Sequence, residues 1–335
     1  MALITETLAS IATPALLLAA LFSGAVSGPA ALSEEPVLRI QGEVLTRLSL
    51  SLEDIKALPA FFLPGVPVIS EQARREKDGG SATQASFRGV LLRDLLLKAG
   101  MKHSRKWEPG VYVRARAGDG RETAFSFGEI FYSSIGRSLL VAYERDARPC
   151  PLTLVVGTDV YDGRMLAGVS DITVARVELE LLAYDDKDNQ VVRPPSTQFV
   201  LADTAAGNQW VVKPADLRAL PTVHLPAVVL IGDCEGFHGI HTLDGVPLAV
   251  LLKHYLKVPD PAPYHRIVVV SSDDGYCATF SFGELFNSRL GRQAVVAMVK
   301  DGRPLSPADG FAMSACGEDS TGGRSVRRIH RIEVR

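Results

Sequence analysis

The sequence predicts an α+β fold, because three patterns occur together. Apolar residues recur at helical spacing in segments 92–99 and 248–255. Runs rich in β-forming residues at 111–113 and 267–270 each lead into an Asp-Gly pair, which favours a hairpin turn. Helices and strands do not alternate regularly as they do in a doubly wound parallel sheet. The expected architecture is therefore a mixed sheet with short flanking helices.

An internal repeat predicts two tandem copies of one unit. The heptapeptide FSFGEIF at 125–131 recurs as FSFGELF at 280–286. Asp-Gly, Gly-Arg and Leu-Pro pairs recur around it in the same order. The first unit is expected to span 37–182 and the second 198–335. A polar, proline-containing linker at 183–197 is expected to join them.

Each unit is expected to begin with two helices. Ser51 is positioned to cap the first helix, and the counterpart helix begins at Pro214. Gly100 is expected to end the longer helix of the first unit. The apolar faces of the two longer helices consist of Leu92, Leu95, Leu96 and Ala99 in the first unit and of Leu248, Leu251, Leu252 and Tyr255 in the second.

A hairpin, a third helix and two strands complete each unit. The Asp-Gly pairs favour type I′ turns. Ser126-x-x-Glu129 and Ser281-x-x-Glu284 have the spacing of capping boxes, which predicts a helix start after each serine. The remaining strands are expected at 139–143 and 174–181 in the first unit and at 294–299 and 329–334 in the second.

The composition is that of a globular protein and excludes one class of partner. Of the 335 residues, 47% are hydrophobic and 22% are charged, and the net charge is −2. Two units of this size bury enough apolar surface to form separate cores. The basic residues do not cluster as they do on nucleic-acid-binding surfaces, so we expect no nucleic-acid partner.

The N-terminal segment 1–33 predicts export. No charged residue occurs between Glu6 and Glu34, and an apolar run at 16–22 is followed by small residues at 23–31. This pattern is typical of a secretory signal peptide, although it lacks an early basic residue. The expected location is periplasmic or secreted. An uncleaved anchor is the alternative, and contact with a membrane is expected only in that case.

Cysteine usage excludes two chemistries and leaves the disulfide question open. The four cysteines include no Cys-x-x-Cys pair, which argues against zinc ribbons and thioredoxin-like chemistry. In an oxidising compartment, pairing of Cys277 with Cys234 or with Cys316 stays an alternative to free thiols.

The order and spacing of the motifs resemble the molybdopterin-binding domain of the sulfite oxidase family. The similarity covers most of 37–335, twice. It implies the fold more directly than the function, because one fold hosts many activities. The segments that carry it are SLEDIKALP at 51–59, the pattern GVxLxxLL at 89–96 and 245–252, Asp-Gly followed by FSFGE in both units, and GRSVRRIHRIEV at 323–334.

The resemblance implies one candidate metal ligand. In that family, molybdenum is held by a pterin dithiolene and by one cysteine thiolate, a soft ligand suited to the metal. Cys234 lies at the corresponding place, shortly before the second GVxLxxLL segment. Gln72 stands opposite it in the first unit, which therefore lacks the ligand. The alternative for Cys234 is a buried or disulfide-bonded thiol.

Further candidates surround the implied cofactor. His238 and His241 are candidate proton donors or anion contacts, and the alternative is ordinary hydrogen-bonded histidines. The candidates for holding the pterin are Arg292, Arg303, Arg324 and Cys316, the last in a glycine-rich stretch. Each of the three arginines has a counterpart in the first unit, which favours the alternative that they bond to loop carbonyls or carboxylates of the protein itself.

Two functions are compatible with these observations. The first is a divergent binding or accessory module without molybdenum, which contacts a small ligand or a periplasmic protein partner. The compact units favour it. An exported molybdenum enzyme needs a twin-arginine signal, because its cofactor is inserted before export, and residues 1–38 contain no arginine. The second is a molybdopterin-dependent oxidoreductase with Cys234 as ligand. The sequence has no Cys-x-x-Cys-His heme motif, so an external electron carrier is then expected.

Overall fold

Strands dominate the first half of the chain. The computed structural model describes residues 37–74, 82–101, 110–178, 196–232, 236–273 and 275–335. We call 37–178 the first half and 196–335 the second half. The first-half elements are β1 (Leu38–Gly42), β2 (Leu48–Leu50), α1 (Leu52–Lys56), β3 (Phe61–Ile69), β4 (Ala82–Leu91), α2 (Leu92–Lys98), β5 (Val111–Ala117), β6 (Glu122–Ser126), α3 (Phe127–Phe131), β7 (Leu139–Arg145), β8 (Arg148–Val156), β9 (Leu166–Ala167) and β10 (Val169–Arg176).

The second half follows a similar order. Short 3-10 turns add to the elements of both halves, at Glu71–Arg74, Ser134–Ser138, Asp162–Arg164 and Gly291–Gln293. The second-half elements are β11 (Phe199–Asp203), β12 (Asn208–Val212), α4 (Pro214–Arg218), β13 (Val223–Gly232), β14 (Gly236–Pro247), α5 (Leu248–Leu256), β15 (Ile267–Ser272), β16 (Cys277–Ser281), α6 (Phe282–Phe286), β17 (Ala294–Lys300), β18 (Arg303–Pro304), β19 (Met313–Cys316) and β20 (Ile329–Val334).

Each half contains one mixed sheet and one antiparallel sheet. The first mixed sheet has the order β2-β1-β10-β5-β6, with β1 parallel to β10. The second has the matching order β12-β11-β20-β15-β16, with β11 parallel to β20. The antiparallel sheets are β3-β4-β7-β8-β9 and β13-β14-β17-β18, with β19 also paired to β17. Mixed sheets with few, short helices confirm the predicted α+β architecture.

The helices begin where the capping residues predict. Ser51 Oγ accepts a hydrogen bond from Asp54 N at 3.1 Å, and Pro214 is the first residue of α4. Ser126 Oγ and Ser281 Oγ each accept from the backbone N–H three residues later, at 3.0 Å. These bonds satisfy N–H groups that a helix leaves unpaired at its start.

The cores are formed by the predicted helix faces packing on the sheets. The first-half core includes α2 and strands of both first-half sheets, and the second-half core includes α5 and strands of its own sheets. Burying side chains of this size is the main favourable contribution to folding. The helical residues that are fully or almost fully buried are Leu92, Leu95 and Leu96 in α2 and Leu248, Leu251 and Leu252 in α5.

The outer strands β3 and β13 deviate from regular pairing at matching points. Their register shifts directly after Leu63 and Leu225, respectively. The next residue is proline in both strands, Pro64 and Pro226. Proline cannot donate to a sheet and is therefore tolerated at an edge, where it also discourages pairing with another chain.

The predicted type I′ turn of the first hairpin is wrong. Ala117 N donates to Arg121 O, and Gly120 N donates to Ala117 O, both at 3.0 Å, so the loop has three residues. Asp119 is not in the left-handed region, whereas Gly120 is, at φ +89°. The Asp119 carboxylate accepts from Arg121 N at 3.0 Å, and this local bond favours a three-residue loop with a single left-handed glycine.

Several predictions are corrected or lie outside the described residues. The closing strand of the first half, expected at 174–181, is β10 and begins five residues earlier because it extends its pairing with β5. Cys150, Cys277 and Cys316 are free thiols, so the pairing of Cys277 with Cys316 is wrong. The predicted signal peptide, most of the linker and Cys234 lie outside the described residues.

The described residues form one compact unit, and the two halves contact each other directly. Thr279 Oγ1 of β16 donates to Val111 O of β5 at 2.9 Å, and Ala124 N of β6 donates to Tyr264 O at 2.9 Å. No helix within the described ranges is long and apolar enough to cross a membrane.

Candidate functional site

The two candidate histidines lie close together on β14. His241 Nδ1 is 2.7 Å from Asp301 Oδ2, and His241 Nε2 is 3.0 Å from the carbonyl oxygen of His238. Asp301 also accepts from Thr242 N at 3.0 Å. The hydrogen bond from His241 lowers the pKa of Asp301. Both ring nitrogens of His241 therefore face an oxygen atom of the protein.

Cys316 is placed away from solvent at the end of β19. Its side chain is buried, and burial raises the pKa of the thiol well above its usual range, with the charge of Asp319 acting in the same direction. A thiol that keeps its proton is a poor nucleophile and a poor ligand. Cys277 is similar, because burial raises its pKa to about 12.

The candidate arginines do not share one environment. Arg292 is exposed on the turn Gly291–Gln293, and Arg303 is exposed on the short strand β18. Arg324 is only 2% exposed, inside the protein. These three side chains therefore do not present a common surface to a ligand.

Arg324 is bonded to two carboxylates of its own half. Its Nε and Nη2 donate to Asp319 Oδ2 and Oδ1 at 2.7 and 2.6 Å. Its Nη1 donates to Glu284 Oε2 at 2.7 Å, and the guanidinium lies 4.7 Å from the centre of the Phe280 ring. Two-pronged pairing of this kind is the strongest geometry available between a guanidinium and a carboxylate.

Arg164 repeats this arrangement in the first half. Its Nε and Nη2 donate to Asp159 at 2.8 and 2.6 Å, and its Nη1 donates to Glu129 Oε1 at 2.5 Å. The guanidinium lies 5.2 Å from the centre of the Phe125 ring. Each half therefore buries one arginine with one aspartate and one glutamate.

Two serines connect the arginine clusters across the halves. Ser126 Oγ of the first half donates to Glu284 Oε1 at 2.7 Å, and Ser281 Oγ of the second half donates to Glu129 Oε2 at 2.6 Å. Each serine thus caps its own helix and bonds the glutamate of the other half. We call the resulting group the junction, which consists of Ser126, Glu129, Asp159, Arg164, Ser281, Glu284, Asp319 and Arg324.

Two glycines allow the close approach of the arginines at the junction. A Cβ atom on Gly128 would lie 2.3 Å from Arg324 Cδ, and a Cβ atom on Gly283 would lie 2.1 Å from Arg164 Cδ. Real Cβ atoms do not approach other heavy atoms so closely, so the arginine of each half packs directly on the helix backbone of the other. The glycine in both FSFGE segments is explained by this contact.

Backbone contacts enclose the junction on both sides. Single β-bridges join Ser133 to Asp319 and Asp159 to Ser288. On the side of Asp159, Asn287 Nδ2 donates a further hydrogen bond to Asp159 Oδ2 at 3.0 Å. The halves therefore meet through reciprocal but not identical contacts.

Comparison with known proteins supports a relationship to oxidoreductases. No family model matches the chain. A nitrate reductase (NADH) from Volvox carteri is 27% identical over 177 residues, which cover 46% of this chain and 20% of that protein. The chain therefore spans a fifth of the length of this relative. The sequence match supports the sulfite-oxidase-like resemblance.

Among solved structures, the sulfane dehydrogenase SoxCD from Paracoccus pantotrophus superposes with a TM-score of 0.35 and 12% identity. The superposition covers 88% of this chain and 77% of that one.

The candidate pterin-binding residues do not fit a pterin phosphate. Arg324 already directs its guanidinium nitrogens at two buried carboxylates, which would repel a phosphate. Arg292 and Arg303 are exposed on separate elements, and Cys316 is a buried thiol. Arg324 instead matches the structural alternative, because it is paired to carboxylates of the protein itself. We therefore derive no chemistry from this cofactor.

Sequence reasoning missed Asp159 and Asp319, the aspartates of the junction. The pattern GxDxxxGR occurs at 157–164 and again at 317–324. The repeated Gly-Arg pair was recognised, but the aspartate five residues before each arginine was not. A buried arginine requires a carboxylate partner, and this recurring aspartate was the available signal.

Proposed function

We propose that this protein is a sulfite-oxidase-like binding or accessory module that works without molybdenum. The observation that carries the proposal is the use of Arg164 and Arg324 to join the two halves. The three guanidinium nitrogens of each arginine all donate to buried carboxylates, which directs both side chains at the protein itself and not at a cofactor phosphate. Arg324, one of the residues that the resemblance offers for the cofactor, thus serves the fold.

The proposal includes a tandem duplication with units at 37–182 and 198–335. The shared sheet order, the matching proline positions Pro64 and Pro226, and the reciprocal junction support it. Export to the periplasm or beyond the cell belongs to the same proposal and rests on the composition of residues 1–33.

The surface around β14 is the proposed contact for a small ligand or a periplasmic protein partner. Phe237 and Ile240 are 65% and 62% exposed there, beside His238 and the His241–Asp301 pair. Exposed apolar side chains next to polar groups are typical of binding surfaces.

Metal analysis tests the proposal. We expect molybdenum and tungsten far below one atom per chain in protein purified from a native host shown to make the cofactor. The measurement is elemental analysis by mass spectrometry, with a known molybdoenzyme from the same cells as the positive control. A stoichiometric metal content would contradict the proposal.

The sequence match to a nitrate reductase favours a second candidate function, a molybdopterin-dependent oxidoreductase with Cys234 as metal ligand. In that case Cys234→Ser should abolish both metal content and reductase or oxidase activity, and electrons would reach an external carrier. Cys150→Ser is the matched control, because Cys150 is a partly exposed free thiol of the first half. Unchanged metal content in Cys234→Ser would show that Cys234 is not a metal ligand.

A further inference from the structure

The junction contains more carboxylates than guanidinium groups. Asp159 pairs with Arg164, and Asp319 pairs with Arg324, so each aspartate–arginine pair is neutral overall. The two buried glutamates, Glu129 and Glu284, add two more carboxylates, and the junction has no third guanidinium group to balance their charge. Burying an uncompensated carboxylate is unfavourable, and such a group binds a proton instead.

The two glutamates differ in how well the protein stabilises their negative charge. Glu284 accepts hydrogen bonds from Arg324 Nη1, Ser126 Oγ and Ser281 N, each at 2.7 Å. Glu129 accepts from Arg164 Nη1 at 2.5 Å and from Ser281 Oγ at 2.6 Å. More donors favour the ionised form. Fewer donors reach the Glu129 carboxyl group, so Glu129 is a suitable site for a proton.

We propose that the junction is a proton-dependent latch, in which a proton on Glu129 holds the two halves of the chain together. A protonated Glu129 stays within 2.6 Å of Ser281 Oγ without adding a second glutamate charge to the junction. Loss of that proton places a second glutamate charge beside Glu284 between the halves, which weakens their association. Arg164 and Glu284 act on Glu129 directly, and the other charged or titratable groups at the junction are Asp159, Asp319, Arg324 and the adjacent Cys316.

The expected pH range follows from the ionisation of Glu129. Burial raises its pKa from 4.5 to about 7, although Arg164 opposes the effect, and the charge of Glu284 raises it further. Between pH 4.5 and about 7, Glu129 of the folded chain holds a proton that the same residue has released in the unfolded chain. Stability conferred by this group is therefore full below pH 4.5, falls as the pH rises, and levels off above about 7.

Hydrogen exchange at the junction tests the latch on the full chain. Peptides covering 125–131 and 280–286 should lose protection by roughly 10²-fold between pH 4.5 and 8, after correction for the intrinsic exchange rate. Glu129→Gln, which mimics the protonated side chain, should show no such loss. Glu122→Gln changes an exposed glutamate of β6 and should behave as the unmodified protein.

If hydrogen-exchange protection at the junction depended on pH in the same way in the unmodified protein and in Glu129→Gln, the latch would be refuted. A second variant covers failure of Glu129→Gln to fold. Because the Ser281 hydroxyl lowers the pKa of Glu129, Ser281→Ala should move the midpoint of the protection loss to higher pH. An unmoved midpoint would also count against the latch. Neither result depends on whether the protein binds molybdenum.

Discussion

Replacing Arg324 by methionine is expected to lower the free energy of unfolding by about 3–5 kcal/mol, the cost of removing one partner from a buried ion pair. Methionine keeps most of the apolar stem but loses the guanidinium that lies 4.7 Å from the centre of the Phe280 ring. Asp319 and Glu284, however, would stay buried without their cation. The measurement is chemical denaturation followed by circular dichroism.

Arg292→Met is the matched control for this prediction. Arg292 is also an arginine of the second half, but it is exposed, so its replacement should change the free energy of unfolding by less than about 0.5 kcal/mol. If both variants were equally stable, the junction would not stabilise the fold, and Arg324 would again be a candidate ligand contact.

Gly283→Ala is expected to lower the free energy of unfolding by about 1–3 kcal/mol, the usual cost of forcing extra volume into a packed interior. The new methyl group would lie 2.1 Å from Arg164 Cδ and 2.4 Å from its Nε. Arg164 cannot move aside, because Asp159 and Glu129 hold its guanidinium from both sides. The higher helix propensity of alanine offsets only part of this cost.

Gly118→Ala provides the comparison for the glycine prediction. A Cβ atom on Gly118 would meet no heavy atom within 4 Å, so its replacement should be close to neutral. Thermal denaturation of both variants under the same conditions measures the difference. A Gly283→Ala protein with unchanged melting temperature would show that the arginine and the helix backbone can separate without cost.

The sequence predicted local features well. Ser51, Ser126 and Ser281 cap helices as expected, and the apolar stripes of α2 and α5 face the cores. These features depend on residues within one or two turns of each other, so the sequence contains the whole interaction. The turn at Asp119 was wrong because loop length depends on strand register, which the Asp-Gly pair alone does not determine.

Contacts between distant segments could not be predicted in the same way. Glu129 and Glu284 matched a capping-box pattern, which explains their spacing but not their bonds to serines of the opposite half. The pairing of His241 with Asp301 depends on the register of β14 against β17. Only the repetition of GxDxxxGR offered a sequence signal for the junction, since a shared pattern marks shared surroundings.

The reciprocal junction couples substitutions in one half to the other half. A change at Ser126 affects Glu284, and a change at Ser281 affects Glu129, so neither half can vary there independently of the other. The serine, glycine and glutamate of both FSFGE segments lie where the halves touch. A search for ligand specificity should therefore begin with the positions at which the two halves differ.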